Sequence, residues 1–236
     1  METFLDDGEV VRQKFIPSEL CKSDRLDVWS KLKNELKHEN RFFPTTEVDK
    51  GRLKDLLSFL QIESRQLETV FYRARIQRNT DTILTVDMGA PPKRLASQGR
   101  ANPAGIPYLY IASTPQTAVS EIRPKFVDLR CPRTTVSPFM LADEVAVGLL
   151  RGDIEFLVGI GNELSIPVLP HVAAIDYIPS QYLCEFIKRQ GFDGVIYQSS
   201  VGDGFNLALF YPNCVTLVAT ETYRVSQVSV SVELNR

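Results

Sequence analysis

Histidine is nearly absent from this 236-residue chain, which holds two copies, His38 and His171, far apart. Only four cysteines occur, Cys21, Cys131, Cys184 and Cys214, and no two of them make a CxxC pair. Zinc sites and disulfide frameworks need clustered ligands, so the sequence predicts no metal and reduced thiols that act as small buried hydrophobes. His38 falls in a Lys- and Glu-rich stretch that predicts a solvated side chain, and Pro170 ahead of His171 predicts a loop. Histidine-dependent catalysis is left without a candidate. An excess of charge is missing as well: 27 Lys and Arg against 29 Asp and Glu give a formal net charge of -2. That balance supplies no basic field for sequence-independent nucleic-acid binding. No apolar run approaches the roughly 20 residues that a membrane helix needs. Met1 to Val10 is acidic and lacks the apolar core of a secretory signal. The expectation is a cytoplasmic protein with no direct nucleic-acid or membrane contact. The GxGxxG and GxxxxGK[ST] phosphate loops and the GxSxG elbow are also missing, which removes the Rossmann, P-loop and α/β-hydrolase readings.

What is present is an ordinary globular composition. Hydrophobic residues at 44% and charged residues at 24% argue against disorder. Asp24 to Asn40 places Trp29, Leu32 and Leu36 on one helical stripe. A second helix is predicted from Asp49 to about Leu60, with Leu53, Leu56, Leu57 and Leu60 at helical spacing. Phe42, Phe43 and Pro44 form an apolar elbow between them. Helices this short do not close a core alone, so residues 1–69 read as a helical extension packed against the rest of the chain, and residues 70–236 as the main domain.

From Val70 the pattern changes. Val70 to Ile76 alternates as a strand would, with Arg73 and Arg75 on one face. Gly99 to Gly105 is rich in turn formers. Tyr108 to Ala112 predicts a strand, and Thr114 followed by Pro115 predicts a helix start running to about Arg123. On that helix Glu121 falls at the margin of the apolar face made by Ala118, Val119 and Ile122, where a carboxylate can point into a cleft. Further strands are predicted over Lys125–Leu129, Gly194–Gln198, Asn206–Tyr211, Cys214–Thr220 and Tyr223–Leu234. Helices are predicted over Leu141–Leu150 and Ser180–Lys188, the latter stopped at Gly191 and burying Tyr182, Leu183, Phe186 and Ile187. Gly202-Asp203-Gly204 suits a hairpin loop. Without a βαβ rhythm, the pattern favours an α+β sheet over a doubly wound one.

The remaining polar residues, Arg73, Arg75, Arg100, Tyr110, Glu121 and Ser199, each have a plainer reading when taken singly. Arginines on strand faces are usually solvated, tyrosines before apolar runs are usually core, and serines after strands are usually turns. In order along the chain they carry more. The segments Phe71-Tyr72-Arg73-Ala74-Arg75, Gly99 to Tyr110 (opening Gly99-Arg100-Ala101-Asn102-Pro103-Ala104-Gly105), Thr117 to Pro124 and Gly191 to Ser200 resemble the RES family, named for a spaced Arg, Glu and Ser. The resemblance runs from about Val70 to Pro212, and the Gly-Arg-x-Asn-Pro-x-Gly loop is its most specific part. It implies Arg73, Glu121 and Ser199 as catalytic residues. It also implies Arg100, Tyr110 and Asn102 as further pocket residues, with Arg75 and Ser200 as register alternatives. Two departures stand out: Arg123-Pro124 runs almost directly into Lys125–Leu129, where longer relatives carry an extra stretch, and Ala101 stands where relatives often carry an aromatic residue.

The resemblance implies an α+β fold of the ADP-ribosyltransferase type, a mixed sheet with the helical extension added. It implies an enzyme that consumes NAD+ as substrate, by hydrolysis or phosphorolysis, and that needs no other cofactor. It also implies a toxin of a toxin–antitoxin or anti-phage system, restrained by an Xre-type antitoxin or another inhibitory protein. The chemistry suits these residue types. Nicotinamide leaves NAD+ neutral, so no general acid is required, and one carboxylate can balance the positive charge that develops on the ribose. Planar guanidinium groups at Arg73 and Arg100 suit the diphosphate and favour the charged form of Glu121. Tyr110 offers a flat face to nicotinamide, and Ser199 a small donor to its amide or to a phosphate. The alternatives are ADP-ribosyl transfer to a protein and a non-catalytic binding module. The N-terminal helices are candidates for homo-oligomer contacts or for gating the pocket, with packing as their plainer role.

Overall fold

The computed structural model describes residues 24–63, 66–67, 70–75, 85–122, 135–136, 153–165, 168, 171–199 and 204–219. In α1 (Asp24–His38), Trp29, Leu32 and Leu36 lie a turn apart and all are buried. α2 (Lys50–Phe59) is capped by Asp49, whose carboxylate accepts the Arg52 N–H at 2.8 Å, and buries Leu53, Leu56 and Leu57. Between the two helices, the buried Glu35 accepts from the Thr45 backbone and hydroxyl and from the Thr46 backbone. These bonds, the Thr45 backbone first, hold its carboxyl down at about 2. The Glu35 carboxylate holds the elbow together with Asn40, which bonds the Phe43 N–H and carbonyl, while Phe42 and Phe43 remain exposed.

The sheet has five strands in the order β1 (Gln61–Ile62), β3 (Thr135–Val136), β4 (Gly194–Gln198), β5 (Phe205–Leu209), β2 (Leu109–Ala112). β3 and β4 run parallel, and the other neighbours are antiparallel, so the sheet is mixed and the fold is α+β. Strand alternation divides its side chains between two cores. Val195, Tyr197 and Ala208 face a core that also takes Tyr108 and Phe210 from the strand ends and residues of α1, α2, α4 (Ile154–Ser165) and α6 (Ile178–Arg189). Ile196, Leu207, Leu209, Leu109 and Ile111 face a smaller core with Ile62 and Phe71. The helical extension and the sheet thus share one apolar interior. α3 (Pro115–Ile122) begins where Thr114 Oγ1 accepts the Thr117 N–H at 3.1 Å, and its Ala118 packs on Ala112. The short α5 (Ala173–Asp176) precedes α6, which stops at Gly191 in a positive-φ conformation (94°).

Several sequence expectations change. Of the strand expected over Val70–Ile76, the described residues 70–75 do not form a regular strand; Tyr72 makes an isolated bridge to Ala112, and the Tyr110 carbonyl accepts Arg73 Nη1 at 3.2 Å. A guanidinium there occupies an edge acceptor that a longer ladder would have used. Of the strand expected over Cys214–Thr220, the described residues 214–219 form none: Pro212–Cys214 makes a 3₁₀ turn, and no strand follows among the described residues. Proline lacks the N–H a ladder requires. α6 opens two residues before Ser180, because Pro179 is tolerated in a first turn, and Tyr182 and Phe186 are only half-buried. α4 was not anticipated. It buries Phe156, Leu157, Ile160 and Leu164 and leaves Asn162 exposed, a helical stripe that the sequence reading passed over. β1 and β3 are too short to show alternation. The predicted elements at Lys125–Leu129, Leu141–Leu150 and Tyr223–Leu234 lie outside the described residues, as do Cys21 and Cys131.

Candidate functional site

The antiparallel hairpin of β4 and β5 brings together three residues from distant parts of the chain. Glu121, in the last turn of α3, is open to solvent, yet its Oε1 accepts from Ser199 Oγ at 2.8 Å and from Asn206 Nδ2 at 2.6 Å. Both donors are buried. Ser199 follows β4, and its N–H donates to the Gly204 carbonyl at 2.9 Å, closing the hairpin on the α3 side. Asn206 pairs across β5 with Ala112 on one side and Tyr197 on the other, so Asn206 and Tyr197 share a sheet face. The two donors converge on one oxygen, which fixes the carboxylate and leaves Oε2 turned away from them.

Tyr197 stands between this carboxylate and the Gly99–Gly105 loop. Burial first, then the neighbouring Tyr110 and Glu121, push its phenol well above the usual tyrosine range. The Arg100 guanidinium lies 6.0 Å from the Tyr197 ring centroid and 5.3 Å from that of Tyr177, within cation–π range of both. The loop itself is a closed hydrogen-bond unit. Asn102 is buried; its amide donates to the carbonyls of Ser97, Pro103 and Ile106 at 2.9–3.0 Å, and its Oδ1 accepts from the Tyr110 hydroxyl at 2.6 Å. Burial also raises the Tyr110 phenol, keeping the proton that this bond uses. A Cβ on Gly99 would lie 2.6 Å from that hydroxyl, which explains the glycine. From α6, Ser180 Oγ donates to the Arg100 carbonyl at 2.6 Å, and Gln181 Nε2 donates to the Gly99 carbonyl at 2.8 Å. These bonds set where Arg100 emerges.

Arg73 and Arg75 flank the edge of the sheet. Each is tied to one neutral carbonyl, Arg73 to Tyr110 at 3.2 Å and Arg75 to Gly89 at 2.8 Å. Burial, then the charge of Arg75, lowers Arg73 to about 10, so it remains protonated at neutral pH.

The structure therefore joins Glu121 and Ser199 directly, and places Arg100, Tyr110 and Asn102 in one adjoining unit. It does not support Glu121 through guanidinium groups, as the sequence suggested for Arg73 and Arg100; neutral donors take that position. Ser199, expected to serve a ligand, donates to Glu121. Asn102 acts within its own loop. Ser200 lies outside the described residues. Asn206, Tyr197, Ser180 and Gln181 were missed. Tyr197 could have been found from strand alternation, since it is two residues before Ser199, whereas Asn206 depends on the register of β5. The two α6 residues gave no signal, because their partners are backbone carbonyls of a remote loop. Among the described residues no group of three or more His, Cys, Asp or Glu side chains could hold a metal, and no helix is long and apolar enough to cross a membrane.

Among curated proteins none matches the chain. Among solved structures, a chain of the M. tuberculosis MbcT–MbcA toxin–antitoxin complex is similar at 14% identity and a TM-score of 0.43, over 75% of this chain and 93% of that one. The RES domain matches residues 68–228, more than half of the sequence and all of the segments that carry Arg73, Arg100, Glu121, Ser199 and Asn206. The chain is a member of the RES-domain family.

Proposed function

We propose that this protein is an NAD+-consuming enzyme that cleaves the bond between nicotinamide and ribose, with an ADP-ribosyltransferase-like core and water or phosphate as acceptor. The observation that carries this reading is the Glu121 carboxylate, anchored through Oε1 by Ser199 and Asn206 and open to solvent at the end of α3. In the reaction, the electron pair of the C1′–N bond leaves with nicotinamide, which departs neutral. Positive charge then develops over C1′ and the ring oxygen. The free oxygen of Glu121 can accept a ribose hydroxyl and balance that charge, while its anchored oxygen stays fixed. The acceptor oxygen adds to C1′ and gives up its proton to solvent. Tyr197 and Tyr110 give the site an aromatic wall for the nicotinamide side, and the arginines suit the diphosphate.

Family membership supports a toxin-type role, in a toxin–antitoxin or anti-phage setting, with an Xre-type antitoxin or another inhibitory protein holding the activity in check. Draining NAD+ would otherwise damage the cell that makes the enzyme. The test is direct. Purified protein incubated with NAD+ is expected to release free nicotinamide, and Glu121→Gln, which keeps shape and removes charge, is expected to lower that release by at least about a hundredfold. Equal release from the variant would reject the mechanism. Transfer of label from NAD+ to a protein, with little bulk nicotinamide, would assign the site to ADP-ribosylation instead. Nucleotide binding without nicotinamide release would point to the non-catalytic module.

A further inference from the structure

Gly99, Arg100 and Asn102 present their backbone carbonyls to one helix. The Gln181 amide donates through Nε2 to the Gly99 carbonyl at 2.8 Å and to the Asn102 carbonyl at 3.1 Å. The Ser180 hydroxyl donates to the Arg100 carbonyl at 2.6 Å and lies 3.0 Å from that of Tyr177. The two N–H groups of one amide thus grip the backbone before and after Arg100, while the neighbouring serine takes the carbonyl of Arg100 itself. Tyr177, Ser180 and Gln181 are spaced three and four residues apart at the start of α6, which puts them on one side of its first turn. The Tyr177 ring centroid is 5.3 Å from the Arg100 guanidinium, so the same side of the helix meets both the backbone and the tip of that side chain.

The loop also closes on itself, through the Asn102 amide and through the Gly105 N–H, which donates to the Ala96 carbonyl at 2.8 Å. What α6 adds is orientation. It fixes the loop against a helix that Leu183, Cys184 and Ile187 anchor in the larger core. Backbone held on both sides gives the Cα–Cβ bond of Arg100 one direction, which lowers the ordering cost of any ligand that the side chain meets.

We infer that Gln181, with Ser180 beside it, is a positioning residue: by holding the backbone on both sides of Arg100, it aims that guanidinium at the diphosphate of the dinucleotide. The inference rests on the proposed NAD+ chemistry for the identity of the ligand. The diphosphate does not change while the bond to nicotinamide breaks. An interaction with it is therefore made equally in the ground state and the transition state, and its loss falls on KM rather than on kcat.

Gln181→Met keeps the length of the side chain and removes both donors. Its KM for NAD+ in nicotinamide release is expected to rise roughly tenfold, the size of one or two net hydrogen bonds, with kcat nearly unchanged. ADP-ribose, which carries the diphosphate and has no nicotinamide to lose, is the equilibrium probe. Titrated calorimetrically into the full chain, it is expected to show the same loss of affinity. In an Arg100→Gln background, Gln181→Met is expected to add nothing, because the group it positions is gone. A full further loss in that double variant would overturn the inference. So would unchanged KM and ADP-ribose affinity in folded Gln181→Met, a loss confined to kcat, or no ADP-ribose binding by wild type. Should Gln181→Met fail to fold, Ser180→Ala, which frees the Arg100 carbonyl, is held to the same outcomes. The two readings fail separately. ADP-ribose binding that depends on Gln181 through Arg100, without nicotinamide release, leaves the positioning role and removes the enzyme reading. Nicotinamide release with unchanged KM and unchanged ADP-ribose affinity in Gln181→Met does the reverse.

Discussion

Asn206 and Ser199 both present a hydrogen to the same oxygen of Glu121, and this defines how the candidate site works at the scale of single residues. A carboxylate bound at one oxygen cannot rotate freely, so its other oxygen keeps a fixed direction while charge builds on the substrate. Asn206→Leu keeps the branched outline of the side chain, with bulkier ends, and leaves Ser199 in place, so it removes one anchor without emptying the site. The expected result is a fall in kcat for nicotinamide release of roughly ten- to a hundredfold, with KM changed much less. Steady-state kinetics on the variant check this. A loss confined to KM would mean that Asn206 serves binding and does not orient the carboxylate. In the sequence, Glu121 and Ser199 stood out only through the resemblance to the RES family. The sequence could not point to Asn206, because strand register determines which polar residue of β5 faces α3.

Among the elements, the turn between α1 and α2 shows how one buried carboxylate shapes a loop. Glu35 accepts from Thr45 and Thr46, and these bonds lower its carboxyl from 4.5 to about 2. A folded-state value below the unfolded one contributes stability that is complete above about pH 4.5 and is lost as pH falls toward about 2. Wild type should therefore exceed Glu35→Gln in thermal midpoint at pH 6, with the gap narrowing steadily across that window. Thermal unfolding of both proteins between pH 2 and pH 6 measures it. A gap that stays constant with pH would show that the charge of Glu35 has no part in holding the turn. Both helices were legible in the sequence, since Trp29, Leu32, Leu36 and the leucines of α2 repeat at helical spacing. The role of Glu35 was not, because a glutamate on a charged helix looks the same whether it faces water or ten residues ahead into a turn.

At the scale of the whole molecule, α1 and α2 are tied to α4 by charge as well as by the core. Asp153, just ahead of α4, has a side chain only 2% exposed and pairs with Arg25 of α1 and Arg52 of α2. Arg52 reaches it through both Nε and Nη2, at 3.0 and 2.6 Å. Lys33 pairs with Glu163 on α4, whose backbone carbonyl also receives Arg100 at 3.4 Å. The helical extension and the candidate site thus meet on one helix. Asp153→Asn should lower the free energy of unfolding by about 2–3 kcal/mol, less than the roughly 3–5 of a fully buried pair because both arginines keep some contact with water. Chemical denaturation measures this. A change below about 0.5 kcal/mol, the size of a surface substitution, would mean that the apolar interior alone holds the extension.

By itself the sequence determined the α+β class, the helical stripes, most strand positions in the hairpin and the set of residues that resembles the RES family. These are local properties: periodicity, caps, turn formers and short motifs are written in neighbouring residues. Tertiary structure alone decided which donors meet Glu121, that Asn102 is spent inside its own loop, and that Arg73 and Arg75 are held by the carbonyls of Tyr110 and Gly89. The two contacts on Glu121 join residues 78 and 85 positions apart, and the register and packing that create them depend on the whole chain at once.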